Sequence, residues 1–128
     1  GSIVAQVAEV SMQGGMPRVH RVVCAIDCGT VVNPGTVAQQ VESSVNFALT
    51  AALFGKIDIQ AGVVQQNNFT NYPLVSMAQS PVVETWIVPS THSPEGVGEP
   101  AVPPLAPAVA NAIYQLTGQR HRALPLKA

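Results

Sequence analysis

One carboxylate in this chain stands in a local sequence suited to proton transfer. Glu99 lies in the segment Gly96-Val97-Gly98-Glu99-Pro100, where the glycines allow the backbone to approach a bulky ligand closely. Pro100 biases the conformation of Glu99 toward extended backbone. A general base needs a single carboxylate held with little conformational freedom, and this segment predicts one. On these five residues alone, the alternative is a surface loop whose glutamate points into water.

Side chains that commonly bind metals are scattered along the sequence. His20, His92 and His121 are far apart and fall in different predicted elements. Cys24 and Cys28 form a lone pair with no matching pair elsewhere, which is weak evidence for zinc. We interpret them as small buried or half-buried side chains at a strand end. The other interpretation, a disulfide, closes a loop too short to stabilise the fold much. The sequence predicts no protein-derived metal site.

The elements that position Glu99 are predicted from turn signals and hydrophobic periodicity. Strands are predicted at residues 3–10, 18–26, 56–59, 63–67 and 82–88. A first helix is predicted from a capping box at Thr36 and Gln39 to a C-cap at Gly55, and a second from Leu105 to a stop at Gly118. The order β-β-α-β-β-β-α is typical of an α+β fold, an antiparallel sheet with both helices packed on it.

Apolar side chains at helical spacing predict which face of each helix is buried. In the first helix the predicted buried residues are Val41, Val45, Ala48, Leu49, Ala52 and Leu53. In the second helix they are Leu105, Val109, Ala112, Ile113 and Leu116.

The low content of charge indicates a surface that is normally covered. Charged residues make up 10% of the 128 residues, against about 25% in ordinary soluble domains. No apolar run approaches the ~20 residues of a membrane span, and no signal peptide is recognisable. A net charge of −1 without a basic run argues against nucleic acid. We therefore expect a piece of a larger assembly, with homo-oligomerisation possible for the piece alone. Gly1-Ser2 is typical of a cloning scar, and residues 3–128 are expected to form one domain.

Several further motifs, in a consistent order, carry a family resemblance. Together with the Glu99 segment they resemble the end of the molybdopterin-binding large subunit of the xanthine oxidase and aldehyde oxidase family, in particular the isoquinoline 1-oxidoreductase β-subunit. The resemblance spans roughly residues 22–126. The motifs are Asp27-Cys28-Gly29, Asn33-Pro34, Gln40-Val41-Glu42, Asn68-Phe69, Tyr72-Pro73, residues 105–113 and residues 118–126.

The resemblance implies a function for several of these residues. Glu99 would be the general base that deprotonates a molybdenum-bound hydroxide, whose oxygen is transferred to an N-heterocycle or an aldehyde. Gln40, Gly96, Val97 and Gly98 would contact the cofactor, a molybdopterin expected to be of the cytosine dinucleotide type. Molybdenum is held by the pterin in this family. The remainder of the large subunit and a small subunit with 2Fe-2S clusters would be the partners.

Departures from the family pattern leave three hypotheses open. Ser43-Ser44 stands where relatives carry Gly-Gly, and Ala48 replaces another glycine, which puts cofactor contact through this helix in doubt. A full subunit of this type is several times longer than this chain, and other segments that grip the pterin are absent here. The chain is therefore expected to be a cofactor-free, inactive C-terminal piece of a molybdenum hydroxylase, a stand-alone binding or scaffolding domain, which the lost glycines would permit, or half of a split enzyme. The first hypothesis is preferred. The sequence leaves the compartment open between bacterial cytoplasm and periplasm.

Overall fold

The computed structural model describes residues 1–126 and has the predicted order of elements. Two long strands, β1 (Ile3–Gln13) and β2 (Met16–Asp27), precede helix α1 (Pro34–Leu53). Two short strands, β3 (Ile59–Gln60) and β4 (Val63–Val64), a 3-10 turn (Met77–Gln79) and strand β5 (Val82–Ile87) follow, and helix α2 (Leu105–Thr117) ends the fold. The α+β class and the order β-β-α-β-β-β-α are confirmed.

The main sheet contains three strands in the order β1-β2-β5. Strands β1 and β2 form the predicted antiparallel hairpin, whose turn uses two glycines with positive φ, Gly14 and Gly15. Strand β5 pairs with β2 in parallel, so the sheet is mixed where an antiparallel sheet was expected. The reason is topological, because the connection from β2 to β5 runs through α1 and therefore returns β5 in the direction of β2. Strands β3 and β4 form a separate hairpin.

A register shift in the β1–β2 hairpin changes which side chains of β2 face the core. Glu9 pairs with Arg21 and Val10 with Val19, so His20 is the extra residue of a bulge. Val19 is consequently buried on the same side as Val22 and Cys24, although simple alternation predicts the opposite face. The cysteines Cys24 and Cys28 are buried free thiols, as interpreted from the sequence. Burial raises the pKa of the Cys24 thiol, which keeps it protonated.

Helix α1 begins earlier than its sequence signal indicated. The N-cap is Asn33, whose Oδ1 accepts a hydrogen bond from the Thr36 backbone N–H at 3.2 Å, so the predicted capping box at Thr36 is wrong. Proline at the first helical position explains the earlier start, since its missing N–H needs no partner there. Phe54 is the C-cap in place of Gly55, where a Cβ would lie 2.9 Å from the Ala51 carbonyl oxygen. The six predicted core residues of α1 are all buried.

Helix α2 closes the core and ends as predicted. Gly118 adopts φ +73° and its N–H donates to the Tyr114 carbonyl oxygen at 2.7 Å. Leu105, Val109 and Ile113 are buried between α2, α1 and β1. Leu116 was predicted to be buried but is 55% exposed, because the last turn of α2 extends past the buried cluster.

The sheet face opposite the helices is open and exposes apolar side chains around the ion cluster of Glu9, Arg21 and Glu84. Exposed side chains on it include Ile3, Val7, Val82 and Trp86, the last of which is 64% exposed. Such a face is unusual for a chain that is alone in water, and it fits the expected piece of a larger assembly. Among residues 1–126, no helix is both long enough and apolar enough to cross a lipid bilayer.

Candidate functional site

The Glu99 loop (residues 88–104) connects β5 to α2, and its side chains Val97, Ala101 and Val102 lie in or against the core. Val97 packs against the buried cluster, whereas Gly96, Gly98 and Glu99 are exposed. The Glu99 carbonyl oxygen accepts from the Val102 N–H at 2.9 Å and thereby closes a turn that leads into α2. The Glu99 carboxylate takes part in none of the hydrogen bonds or ion pairs within residues 1–126. Its oxygens are therefore available to an outside group.

Glu99 borders a cleft between this loop and α1. The cleft has a volume of about 340 Å³ and is lined by Ser43, Ser44, Phe47, Gly98, Glu99, Val102 and Pro103. Phe47 is largely exposed on its wall, which gives the cleft one aromatic side. A carboxylate at the edge of a partly apolar cleft is the arrangement expected of a general base that meets a small organic substrate.

Neither the backbone conformation nor a contact within residues 1–126 requires glycine at positions 96 and 98. Neither glycine has a positive φ. No heavy atom of residues 1–126, apart from those of the adjoining residues, lies within 4 Å of where a Cβ would stand at either position. The space that a Cβ would occupy is therefore open at both positions. These two residues therefore fit a large group, such as a pterin, that approaches the backbone from outside the chain.

A close backbone contact fixes residues 92–95, which precede the Gly96–Pro100 segment. Gly29, in the Asp27-Cys28-Gly29 motif, has φ +73°, and a Cβ there would lie 2.1 Å from the Ser93 carbonyl oxygen. Nearby, the Thr30 N–H and Oγ1 donate to the His92 carbonyl oxygen at 2.9 and 2.8 Å. The Glu95 N–H donates to the Cys28 carbonyl oxygen at 2.9 Å. This motif thus positions the segment that precedes the glycine pair.

The serines at the departures from the family pattern lie next to Glu99. Ser44 is 3% exposed, and its Oγ donates to the Gly98 carbonyl oxygen at 3.3 Å, which links α1 to the loop. Ser43 lines the cleft, and Ala48 is buried without disturbing the helix. Gln40 is exposed one helical turn before Ser44 on the same side of α1, outside the cleft lining. The structure therefore brings Gly98 and Glu99 together with α1, but leaves Gln40 beyond the cleft.

His20, Glu95, Phe69 and Tyr72 do not line the Glu99 cleft. His20 shares a 2.7 Å hydrogen bond with Ser11 on the hairpin, and no cluster of three or more metal-ligating side chains occurs in residues 1–126. Glu95 lies 3.5 Å from the N-terminal amine. Phe69 is exposed, while Tyr72 borders a second cleft of about 470 Å³ that shares Ser43 and Phe47 with the first.

Two side chains that hold the Glu99 loop were not identified from the sequence. Gln6 Nε2 donates to the Ala101 carbonyl oxygen at 2.8 Å. Ser2 Oγ, in the Gly1-Ser2 pair expected to be a cloning scar, donates to the Gly96 carbonyl oxygen at 2.7 Å. A signal existed for Gln6, because it is a polar residue between two apolar ones on the inward side of β1. No comparable signal existed for Ser2.

Comparison with known proteins places the chain in a family. Residues 1–81 match the model of the molybdopterin cofactor-binding domain. The chain is 36% identical over 109 residues to the isoquinoline 1-oxidoreductase β-subunit of Brevundimonas diminuta, which covers 85% of this chain and 14% of that protein. It is 35% identical over 126 residues to a subunit of the nicotinate dehydrogenase of Pseudomonas putida, covering 98% of this chain and 10% of that protein.

The fold is also that of a solved enzyme. The crystal structure of quinoline 2-oxidoreductase from Pseudomonas putida 86 superposes with a TM-score of 0.77 at 21% identity, covering 85% of this chain and 15% of the enzyme chain. The chain thus spans between about a tenth and a seventh of the length of these relatives. With its sequence matches and its fold in agreement, the chain belongs to the molybdopterin cofactor-binding domains of the xanthine oxidase family of molybdenum hydroxylases.

Proposed function

We propose that this chain supplies the general base, Glu99, to a molybdenum hydroxylase that oxidises an N-heterocycle or an aldehyde with oxygen from water. The observation that carries the proposal is the position of the Glu99 carboxylate at the edge of an open cleft. It directly follows Gly98, where no contact within residues 1–126 excludes a side chain. When bound, the molybdenum–pterin group supplies activation of water and acceptance of the electron pair.

The residues of this chain bind, orient and move a proton. Glu99 accepts the proton from the oxygen nucleophile as it attacks the substrate carbon. Gly96, Val97 and Gly98 provide a backbone that the cofactor approaches without meeting a side chain at the two glycines. The amide of Gln40 donates and accepts hydrogen bonds at once, which suits a pterin ring, and we propose the cytosine dinucleotide form of that cofactor.

The chain holds only part of such a site. It covers 14% of the isoquinoline 1-oxidoreductase relative, and its cleft is open toward solvent at Glu99. We propose that the remainder of a longer subunit completes the cofactor pocket, and that a small subunit with 2Fe-2S clusters receives the electrons. The open sheet face that exposes Val7 and Trp86 supports a neighbouring domain, since water is a poor environment for these side chains.

The test is a comparison of two isosteric substitutions in the complete enzyme. Glu99→Gln removes the base at nearly constant volume and is expected to lower kcat/KM by about 10²–10⁴-fold. Glu95→Gln is the matched control, since it removes the same charge from the same loop, and it should change kcat/KM by less than about threefold. Turnover by the Glu99→Gln enzyme within about tenfold of wild type would contradict the proposed role.

Metal analysis of the 128-residue chain tests the incompleteness of the site. The chain purified from cells that make the cofactor is expected to contain no stoichiometric molybdenum. Equimolar molybdenum and pterin in it would show that this chain alone forms a complete binding site.

A further inference from the structure

Four backbone carbonyls around Glu99 are held by hydrogen bonds from other segments or from the turn itself. Ser2 Oγ donates to Gly96 at 2.7 Å, and Ser44 Oγ to Gly98 at 3.3 Å. The Val102 N–H donates to Glu99 at 2.9 Å, and Gln6 Nε2 donates to Ala101 at 2.8 Å. The Gln6 contact joins the first strand to the turn across 95 positions of sequence and is the second shortest of the four.

Gln6 occupies a position at which an apolar residue would suit the fold better. On β1, the neighbouring inward residues Val4 and Ala8 pack in the core, and Gln6 pairs across the sheet with the buried Cys24. Its Oε1 is buried and has no hydrogen-bond partner within residues 1–126. Leaving a buried acceptor unpaired destabilises a fold, so stability alone does not explain a glutamine here. Its Nε2 donates to the Cys24 Sγ at 3.7 Å and to the Ala101 carbonyl oxygen at 2.8 Å. Ala101 is 1% exposed and stands two residues after Glu99.

We infer that Gln6 is a positioning residue for Glu99, which holds the Glu99–Val102 turn in place through the Ala101 carbonyl. The inference rests on the proposed function of Glu99. The turn is fixed at Ala101 by Gln6 and at Gly98 by Ser44, so the Cα of Glu99 lies between two anchored peptide groups. The Ser44 contact is longer than the 2.7–2.8 Å usual for hydroxyl donors, which makes Gln6 the stronger of the two. Without Gln6, the turn would have only its local Val102 N–H bond, which would open more often because the link to the sheet is lost.

Gln6→Met is the informative substitution, because methionine matches the length of glutamine without a donor. The change removes the unpaired Oε1 but leaves the buried Ala101 carbonyl without its donor, so one unpaired acceptor replaces another and the net change in stability is expected to be small. In the complete enzyme, kcat is expected to fall by about 10–100-fold while KM changes by less than about twofold, as for a base displaced by a fraction of an ångström. Gln13→Met, at the exposed end of the same strand, should leave both constants unchanged.

A double-mutant cycle separates positioning of Glu99 from a merely structural role. If Gln6 acts through Glu99, Gln6→Met should change the single-turnover rate by less than about twofold in the Glu99→Gln background. An equal loss in both backgrounds, or no loss in either, would overturn the inference while leaving the role of Glu99 intact. A Glu99→Gln enzyme with full activity would overturn the proposed function and this inference together. If Gln6→Met does not fold, Gln6→Leu, which also lacks a donor and adds no charge, serves in its place.

Hydrogen exchange in the 128-residue chain tests the contact without any cofactor. In Gln6→Met the Val102 amide should exchange about tenfold faster, while the β1–β2 amides keep their wild-type rates. Unchanged exchange at Val102 would show that Gln6 does not hold the turn, and would overturn the inference.

Discussion

Replacing Gly29 with alanine should destabilise the chain far more than replacing Gly118, although both glycines have φ +73°. The left-handed conformation alone costs an alanine about 1 kcal/mol, and this cost is common to both sites. At Gly118 nothing lies within 4 Å of the added Cβ among residues 1–126, so the cost ends there. At Gly29 the Cβ would lie 2.1 Å from the Ser93 carbonyl oxygen, a backbone atom that yields only if the segment moves.

The extra cost at Gly29 follows from the hydrogen bonds that such a movement breaks. They are the two bonds from Thr30 to the His92 carbonyl and the bond from the Glu95 N–H to the Cys28 carbonyl. At about 1 kcal/mol each, they bring the expected loss for Gly29→Ala to about 4 kcal/mol, against about 1 kcal/mol for Gly118→Ala. The same movement would displace the segment that leads to Gly96.

Urea denaturation of the two variants and the wild-type chain measures this difference. The midpoint of Gly29→Ala should fall well below that of Gly118→Ala with a similar slope. If the free energies of unfolding of the two variants agreed within about 1 kcal/mol, the close approach at Gly29 would not constrain the fold, and the account of the Asp27-Cys28-Gly29 motif would be refuted.

Two smaller predictions concern the helix cap and the surface charges. Asn33→Ala should lower the free energy of unfolding by about 1 kcal/mol, whereas Thr36→Ala should have almost no effect. Equal losses of the two variants in urea denaturation would contradict the assignment of Asn33 as the N-cap. Hydrogen bonds from Arg21 lower the pKa of Glu84, so this pair stabilises the fold above the unfolded pKa of about 4.3, and the contribution is lost as pH falls through the lower folded pKa. Arg21→Met should therefore flatten the acid limb of a plot of stability against pH, and an unchanged limb would contradict that assignment.

The sequence predicted those parts of the fold that local signals determine. The buried stripe of α1 and the αL stop at Gly118 follow from helical periodicity and from a glycine's freedom at positive φ, and both are confirmed. The parallel pairing of β5 and the burial of Val19 were missed. The first depends on how a long connection crosses the molecule, and the second on one bulged residue that inverts the alternation. Neither feature can be recognised in a short window of sequence.

The sequence indicated the motif that contains Glu99 but not the residues that hold its loop in place. The pattern of glycines around Glu99 identified the loop, and the structure places it on a cleft with α1. The contacts from Gln6 and Ser44 join segments far apart in the chain, so no spacing rule indicates them. A polar residue on an otherwise apolar strand face, as at Gln6, was the one available signal. The roles of Glu99, Gln40 and the Gly96–Gly98 segment stay predictions, and Gln40 lies on the Ser44 side of α1 but outside the cleft.

The role of Glu99 is tested most directly by the rate at which substrate reduces the complete enzyme in a single turnover. Glu99→Gln and Glu95→Gln enzymes with molybdenum and pterin contents equal to wild type would be mixed anaerobically with substrate, and reduction followed optically. Reduction of the Glu99→Gln enzyme should be about 10²–10⁴-fold slower than wild type, and that of the Glu95→Gln enzyme unchanged. A Glu99→Gln rate within about tenfold of wild type, at equal cofactor content, would contradict the assignment of Glu99 as the base.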